Sequence, residues 1–77
     1  MNSKTEKDNI ELFKMLTVMQ EKTLKLLHQG LVNTEIAKEL DRSVKTVEAY
    51  TSNLYDVLGV KNRVMAALFY ERLKYNE

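Results

Sequence analysis

The chain has 77 residues, with 12 Lys and Arg against 11 Asp and Glu, one His, no Cys and no Pro. That length holds one domain with a single modest core, a size at which self-association commonly adds stability. Without thiols there is no disulfide framework or thiolate metal site, and His28 alone cannot assemble a metal cluster. The longest apolar run, Val64 to Tyr70, falls far short of the roughly 20 residues of a membrane span. The charged N-terminus has no apolar signal segment, so a cytoplasmic protein with no cofactor, no membrane association and no small-molecule site is expected. A formal charge of +1 is little for a protein that must neutralise phosphates, so the distribution of the cations matters more than their sum.

With only Gly30 and Gly59 as breakers, the chain reads as nearly all helix. Ser3 and Glu6 fit a capping box, and Ile10, Phe13 and Leu16 or Thr17 follow at helical spacing, which predicts a first helix from about Lys4 to Met15. Thr17 and Gln20 repeat the capping-box pattern. Leu24, Leu27 and Leu31 mark a buried stripe, and Gly30 stands where a left-handed C-cap would close a second helix over Val18 to Gln29. Asn33 is the expected cap of a short third helix, Thr34 to Leu40, with Ile36, Ala37 and Leu40 facing inward. Ser43 is the expected cap of a fourth, Val44 to Leu58, ended by Gly59, with Val47, Leu54 and Leu58 on one face. Asn62 then caps a last helix reaching about Tyr75. His28, beside the end of the second helix, is expected to favour the dipole there.

The short third helix, a tight turn through Asp41 and Arg42, and the longer helix capped at Ser43 form the outline of a helix-turn-helix. At about 100° per residue, Lys45, Glu48, Ala49, Ser52 and Asp56 point away from the Val47, Leu54, Leu58 stripe and are free to meet a groove. Arg42, Lys45, Lys61 and Arg63 flank the helix as candidate phosphate contacts, which set register and usually outnumber base contacts. Tyr50 and Tyr55 read as packing residues with wet hydroxyls.

The segment from Leu16 to Arg63 resembles the LuxR-type, or GerE-like, DNA-binding domain. The resemblance is carried by Leu16-Thr17, Leu24, Leu26-Leu27, Gly30-Leu31, Asn33, Glu35-Ile36-Ala37, Leu40, Ser43, Thr46-Val47, Asn53-Leu54, Leu58-Gly59-Val60 and Asn62-Arg63. It extends over residues 16 to about 73. It implies an all-α, compact four-helix domain over residues 16–75, with residues 1–15 as an extra N-terminal helix or arm. It further implies a bacterial transcription regulator whose recognition helix enters the major groove of double-stranded DNA and whose last helix often pairs two subunits. By the same resemblance Glu48, Ala49 and Ser52 match positions that reach base edges, while Lys45, Thr46 and Asn53 match positions near phosphates. Tyr50 stands where His is usual, Thr51 and Asp56 where a basic residue is frequent, and Arg42 where a buried aliphatic precedes the cap. On this reading Lys45 is the only cation of the exposed face, and Glu48 could accept from cytosine N4.

The last helix carries Val64, Met65, Ala66, Ala67, Leu68, Phe69, Tyr70, Leu73 and Tyr75, a wide apolar band for one small core. A homodimer using Met65, Leu68, Phe69 and Leu73 is one expectation. Coverage of the band within one chain by a helix over residues 4–15 is the other, and Leu12, Phe13 and Met15 could serve either purpose. The competing function is a protein-interaction module that binds another regulator or RNA polymerase through the acid-bearing fourth helix or the apolar last one. No nucleophile and base pairing, metal cluster or phosphate-cradling glycine loop supports an enzyme.

Overall fold

The computed structural model describes residues 4–75, with side chains from residue 8 onward. It contains α1 (Lys4–Lys14), α2 (Val18–His28), α3 (Asn33–Leu40), α4 (Val44–Leu58) and α5 (Arg63–Tyr75), and no strand among the described residues. The Ser3 and Glu6 capping box lies outside the described side chains.

Local chemistry sets most of the helix boundaries. Thr17 caps α2 reciprocally: its Oγ1 accepts from the Gln20 N–H at 3.1 Å, and Gln20 Oε1 accepts from the Thr17 N–H at 2.8 Å. Ser43 Oγ accepts from the Thr46 N–H at 3.1 Å to start α4, and Asn62 Oδ1 accepts from the Met65 N–H at 2.9 Å to start α5. Gly30 and Gly59 take left-handed conformations, with φ of 94° and 71°, at the ends of α2 and α4. In each case the next residue's N–H reaches back across the turn, Leu31 to the Leu26 carbonyl at 3.2 Å and Val60 to the Tyr55 carbonyl at 3.0 Å.

The start of α3 differs from expectation. Val32, with extended backbone, occupies the cap position, and Asn33 is already helical. Glu35 Oε1 accepts from the Val32 N–H at 2.9 Å, so the helix is started by a side chain reaching back from its first turn. Asn33 caps nothing, and its Oδ1 is buried with no partner among the described residues.

The core is built where α2 crosses α3, α4 and α5. Leu24, Ile36, Val47, Leu54 and Ala66 are fully buried, and Leu27, Ala37, Leu58 and Phe69 nearly so. Each large apolar side chain removed from water in this way contributes about 1.5–3 kcal/mol. Thr23 is buried among them at no hydrogen-bonding cost, because its Oγ1 donates to the Met19 carbonyl at 2.7 Å. Residues of α1 and its exit, Leu12, Phe13 and Leu16, pack on the outside of this core, and α1 lies against α4 and α5. Leu40 and Leu31 are half-buried at its edge.

His28 does more than sit at a helix end. Its Nε2 lies 2.5 Å from Glu71 Oε1 on α5, and its ring meets Tyr70 edge-on at 5.0 Å, so it joins α2 to α5. Sequence position exposes the helix terminus but not the partner 43 residues away.

Candidate nucleic-acid interface

Between α3 and α4 the chain turns within Asp41, Arg42 and Ser43. Asp41 adopts φ 56° and ψ 50°, the left-handed region that Asp tolerates better than most non-glycine residues. The Arg42 N–H then donates to the Ala37 carbonyl at 2.9 Å, closing α3 in the manner of the two glycine ends. Ser43 resumes extended backbone and caps α4, so the two helices meet in a tight helix-turn-helix.

Two unlike faces run along α4. Val47, Thr51, Leu54 and Leu58 are buried against α2 and α3, which fixes the rotation of the helix about its axis. Lys45, Glu48, Ala49, Ser52, Asn53 and Asp56 are exposed. The six combine three short neutral side chains with three charges, a surface that approaches a groove without steric bulk and with little net attraction for phosphate. Thr46 is half-buried, its Oγ1 accepting from Ser43 Oγ at 2.9 Å, so it is committed to the cap at the helix start.

Thr51 does not belong to the outward face on which a missing cation was inferred. It is buried, and its Oγ1 donates to the Glu48 carbonyl at 2.8 Å. The spacing carried a signal for this, since Thr51 lies four residues after Val47 and three before Leu54, inside the same stripe.

The flanking cations divide into two kinds. Lys61 and Arg42 are exposed, and Arg42 folds over its own turn, its Nη1 donating to the Asp41 carbonyl at 3.0 Å. Arg63 is half-buried and its Nη2 donates to the Leu31 carbonyl, which ties the loop entering α3 to the start of α5. Arg63 is therefore held in the fold, a positioning role that a cation count along the sequence does not reveal. Tyr55 is also half-buried: burial pushes its hydroxyl pKa above the usual tyrosine value, partly opposed by the Arg63 charge.

On α5 the four residues expected to face a partner separate. Met65 and Leu68 are exposed, at 41% and 49%, together with Val64 at 65%. Phe69 is in the core, at 7%, so its ring offers no surface to a partner. Leu73 is half-buried and faces α1 and α2, lining a groove with Ile10 and Phe13. Thus α1 covers one side of the apolar band and leaves Val64, Met65 and Leu68 open. Of the three α1 residues that could serve either purpose, Leu12 and Phe13 pack on the core while Met15 is 66% exposed.

Among the described residues no cluster of three or more His, Cys, Asp or Glu is placed to hold a metal ion. No helix among them is long and apolar enough to cross a membrane.

Comparison with known proteins gives a consistent assignment. The family profile described as bacterial regulatory proteins, luxR family, matches residues 14–70. The chain is 36% identical over 69 residues to the probable transcriptional regulatory protein SgaR of Hyphomicrobium methylovorum, covering 90% of this chain and 33% of that protein. It is 39% identical over 64 residues to the probable transcriptional regulator ycf29 of Porphyra purpurea, covering 80% and 31%. Against the response regulator protein VraR of Staphylococcus aureus it is 35% identical over 63 residues, covering 82% and 30%. The chain thus spans about a third of the length of these curated relatives. Among solved structures there is no significant match.

Proposed function

The chain belongs to the luxR family of bacterial regulatory proteins, and from that premise we propose that it is a DNA-binding transcription regulator that works as a homodimer and reads the major groove with α4. The observation that carries this reading is the division of α4 into a buried stripe and an exposed face of Lys45, Glu48, Ala49 and Ser52, held behind a tight turn. Glu48, Ala49 and Ser52 contact base edges. Glu48 accepts from an exocyclic amine such as cytosine N4, and a correct contact of this kind contributes about 1–3 kcal/mol of discrimination. Lys45, Asn53, Arg42 and Lys61 lie against the sugar-phosphate backbone and fix register, and Thr46 approaches it from the capped first turn that its hydroxyl helps to hold. Arg63 contributes mainly by holding the loop before α3.

Two features favour pairing of two subunits. A chain this small with a +1 charge gains phosphate affinity when two basic edges act together. The exposed Val64, Met65 and Leu68 give the second copy an apolar surface to bury.

The test is selection from a pool of random duplexes at two salt concentrations. Two-fold symmetric sequences are expected to be enriched, with affinity falling steeply as salt rises because bound counterions are released. No binding even at low salt would overturn the proposal. It would favour the second reading, in which Glu48 and Asp56 on the same face of α4 receive a basic protein partner.

A further inference from the structure

A second surface lies outside the helix-turn-helix. A groove of about 410 Å³ runs between α1, α2 and α5, and no residue of α3 or α4 lines it. Its floor is apolar: Ile10 and Phe13 from α1 face Tyr70 and Leu73 from α5, with the Phe13 and Tyr70 rings 6.1 Å apart. Ile10 remains 44% exposed, so the floor is open to solvent. Three lysines rim it, one from each helix: Lys14, Lys25 and Lys74.

The charges at this groove are segregated by helical phase. On α1, Ile10, Phe13 and Lys14 share one face, and on α5, Tyr70, Leu73 and Lys74 repeat the same apolar, apolar, lysine order at the same spacing. Asp8 projects from the opposite side of α1 at about 100° per residue, and Glu11, three residues before Lys14, forms no ion pair with it. The one carboxylate at the rim, Glu21, is paired with Lys25 at 3.2 Å. Neither Lys14 nor Lys74 forms an ion pair with another described side chain, which leaves a net positive rim around an apolar floor. At the α1–α2 corner Met15 and Val18 are also exposed, at 66% and 68%.

We infer that this groove is a docking site for an acidic amphipathic helix of another protein, its apolar stripe on Ile10, Phe13, Tyr70 and Leu73 and its flanking carboxylates toward Lys14 and Lys74. Helix-in-groove recognition needs an apolar trough with selective edges, and the charge of this rim selects acidic flanks. A nucleic-acid strand is the poorer fit, because Ile10 and Leu73 make half of the floor aliphatic, the Phe13 and Tyr70 rings are half-buried, and only Lys14 and Lys74 carry charge not already paired at the rim. Since α3 and α4 take no part, the partner leaves the proposed DNA-reading face unoccupied, and the inference stands independently of the proposed function.

The test is selection of the full chain against a displayed library of helix-forming peptides whose apolar stripe is constant and whose flanking charges vary. Peptides with Asp and Glu flanks are expected to be enriched, and amide shifts on binding are expected at Ile10, Phe13, Tyr70 and Leu73. The double variant Lys14→Glu, Lys74→Glu, whose changed side chains are exposed, is expected to bind the same peptides about tenfold more weakly and to enrich lysine-flanked ones instead. Both lysines lie in the last turns of their helices, so the thermal unfolding temperature is expected to fall slightly as the favourable dipole contact is lost, while the duplex sequence selected is expected to stay the same, which separates this outcome from any failure of α4. Enrichment without charge preference, shifts confined to α4, or no enrichment would overturn the proposal. So would groove shifts that grow as the protein alone is concentrated, since the occupant would then be a second copy, and tighter binding to phosphatidylglycerol vesicles than to the selected peptides.

Discussion

Helices α4 and α5 are similar in length, 15 and 13 residues, yet they divide their apolar surface in opposite ways. α4 buries Val47, Thr51, Leu54 and Leu58 in one line and, beyond Val44 at its start, presents polar or small side chains to solvent. α5 buries only Ala66 and Phe69 and leaves Val64, Met65 and Leu68 exposed. The difference teaches that the two helices serve the surface differently. One is locked in rotation by its core contacts so that its polar face is held steady, and the other keeps apolar area that the other described residues leave uncovered. Both arrangements follow from where hydrophobic residues fall relative to the helical period.

The largest test of this contrast is on stability. Leu54→Ala removes a fully buried side chain from the α4 stripe and is expected to cost about 2–5 kcal/mol by urea denaturation, because the site collapses only partly. A loss below 1 kcal/mol would mean that α4 is not anchored as described. Next in size is base preference on α4: Glu48→Ala is expected to relax specificity at one position by about 1–3 kcal/mol, measured on selected duplexes. Lys61→Ala is expected to weaken all sequences alike and flatten the salt slope. A uniform effect from Glu48→Ala would take it off the reading face.

Ser43→Ala deletes the cap that starts α4 and is expected to cost about 1 kcal/mol in the same denaturation assay. On α5, Leu68→Ser changes a side chain that is half in solvent. It is expected to leave monomer stability within about 0.5 kcal/mol while lowering self-association in sedimentation, whereas a large stability loss would place Leu68 in the core. The smallest effect concerns Tyr55, whose hydroxyl pKa is raised by burial. The folded state then holds its proton more tightly than the unfolded chain. The associated stability is complete below the usual tyrosine pKa of about 10 and is lost as pH rises through the higher folded value. Tyr55→Phe is expected to remove that alkaline slope from a pH series of unfolding midpoints.

Much of the α4 arrangement was legible before any coordinates. Ser43, the Val47, Leu54, Leu58 spacing and Gly59 give a cap, a period and a terminator that agree, so the boundaries Val44 and Leu58 were recovered and the exposed face followed from geometry. Asn33 misled, because a side chain able to cap suggests a cap wherever it occurs. The slot depends on backbone angles, and Val32 holds the extended conformation while Glu35 reaches back to it. On α5 the sequence showed an excess of apolar residues without showing which would face α1, so Phe69 and Leu73 were grouped with Met65 and Leu68.

By itself, then, the sequence determined the helices, their punctuation, the helix-turn-helix and the family to which it belongs, because these rest on spacing and side-chain type within a few residues. Tertiary structure alone decided that Arg63 binds the Leu31 carbonyl, that His28 meets Glu71, that Phe69 is buried, and that three lysines from three helices gather around one apolar groove. The physical reason is distance along the chain. Local patterns report the backbone hydrogen bonds and helix faces that neighbouring residues make together, whereas the partner of a side chain 30 or 40 residues away is set only when the helices pack.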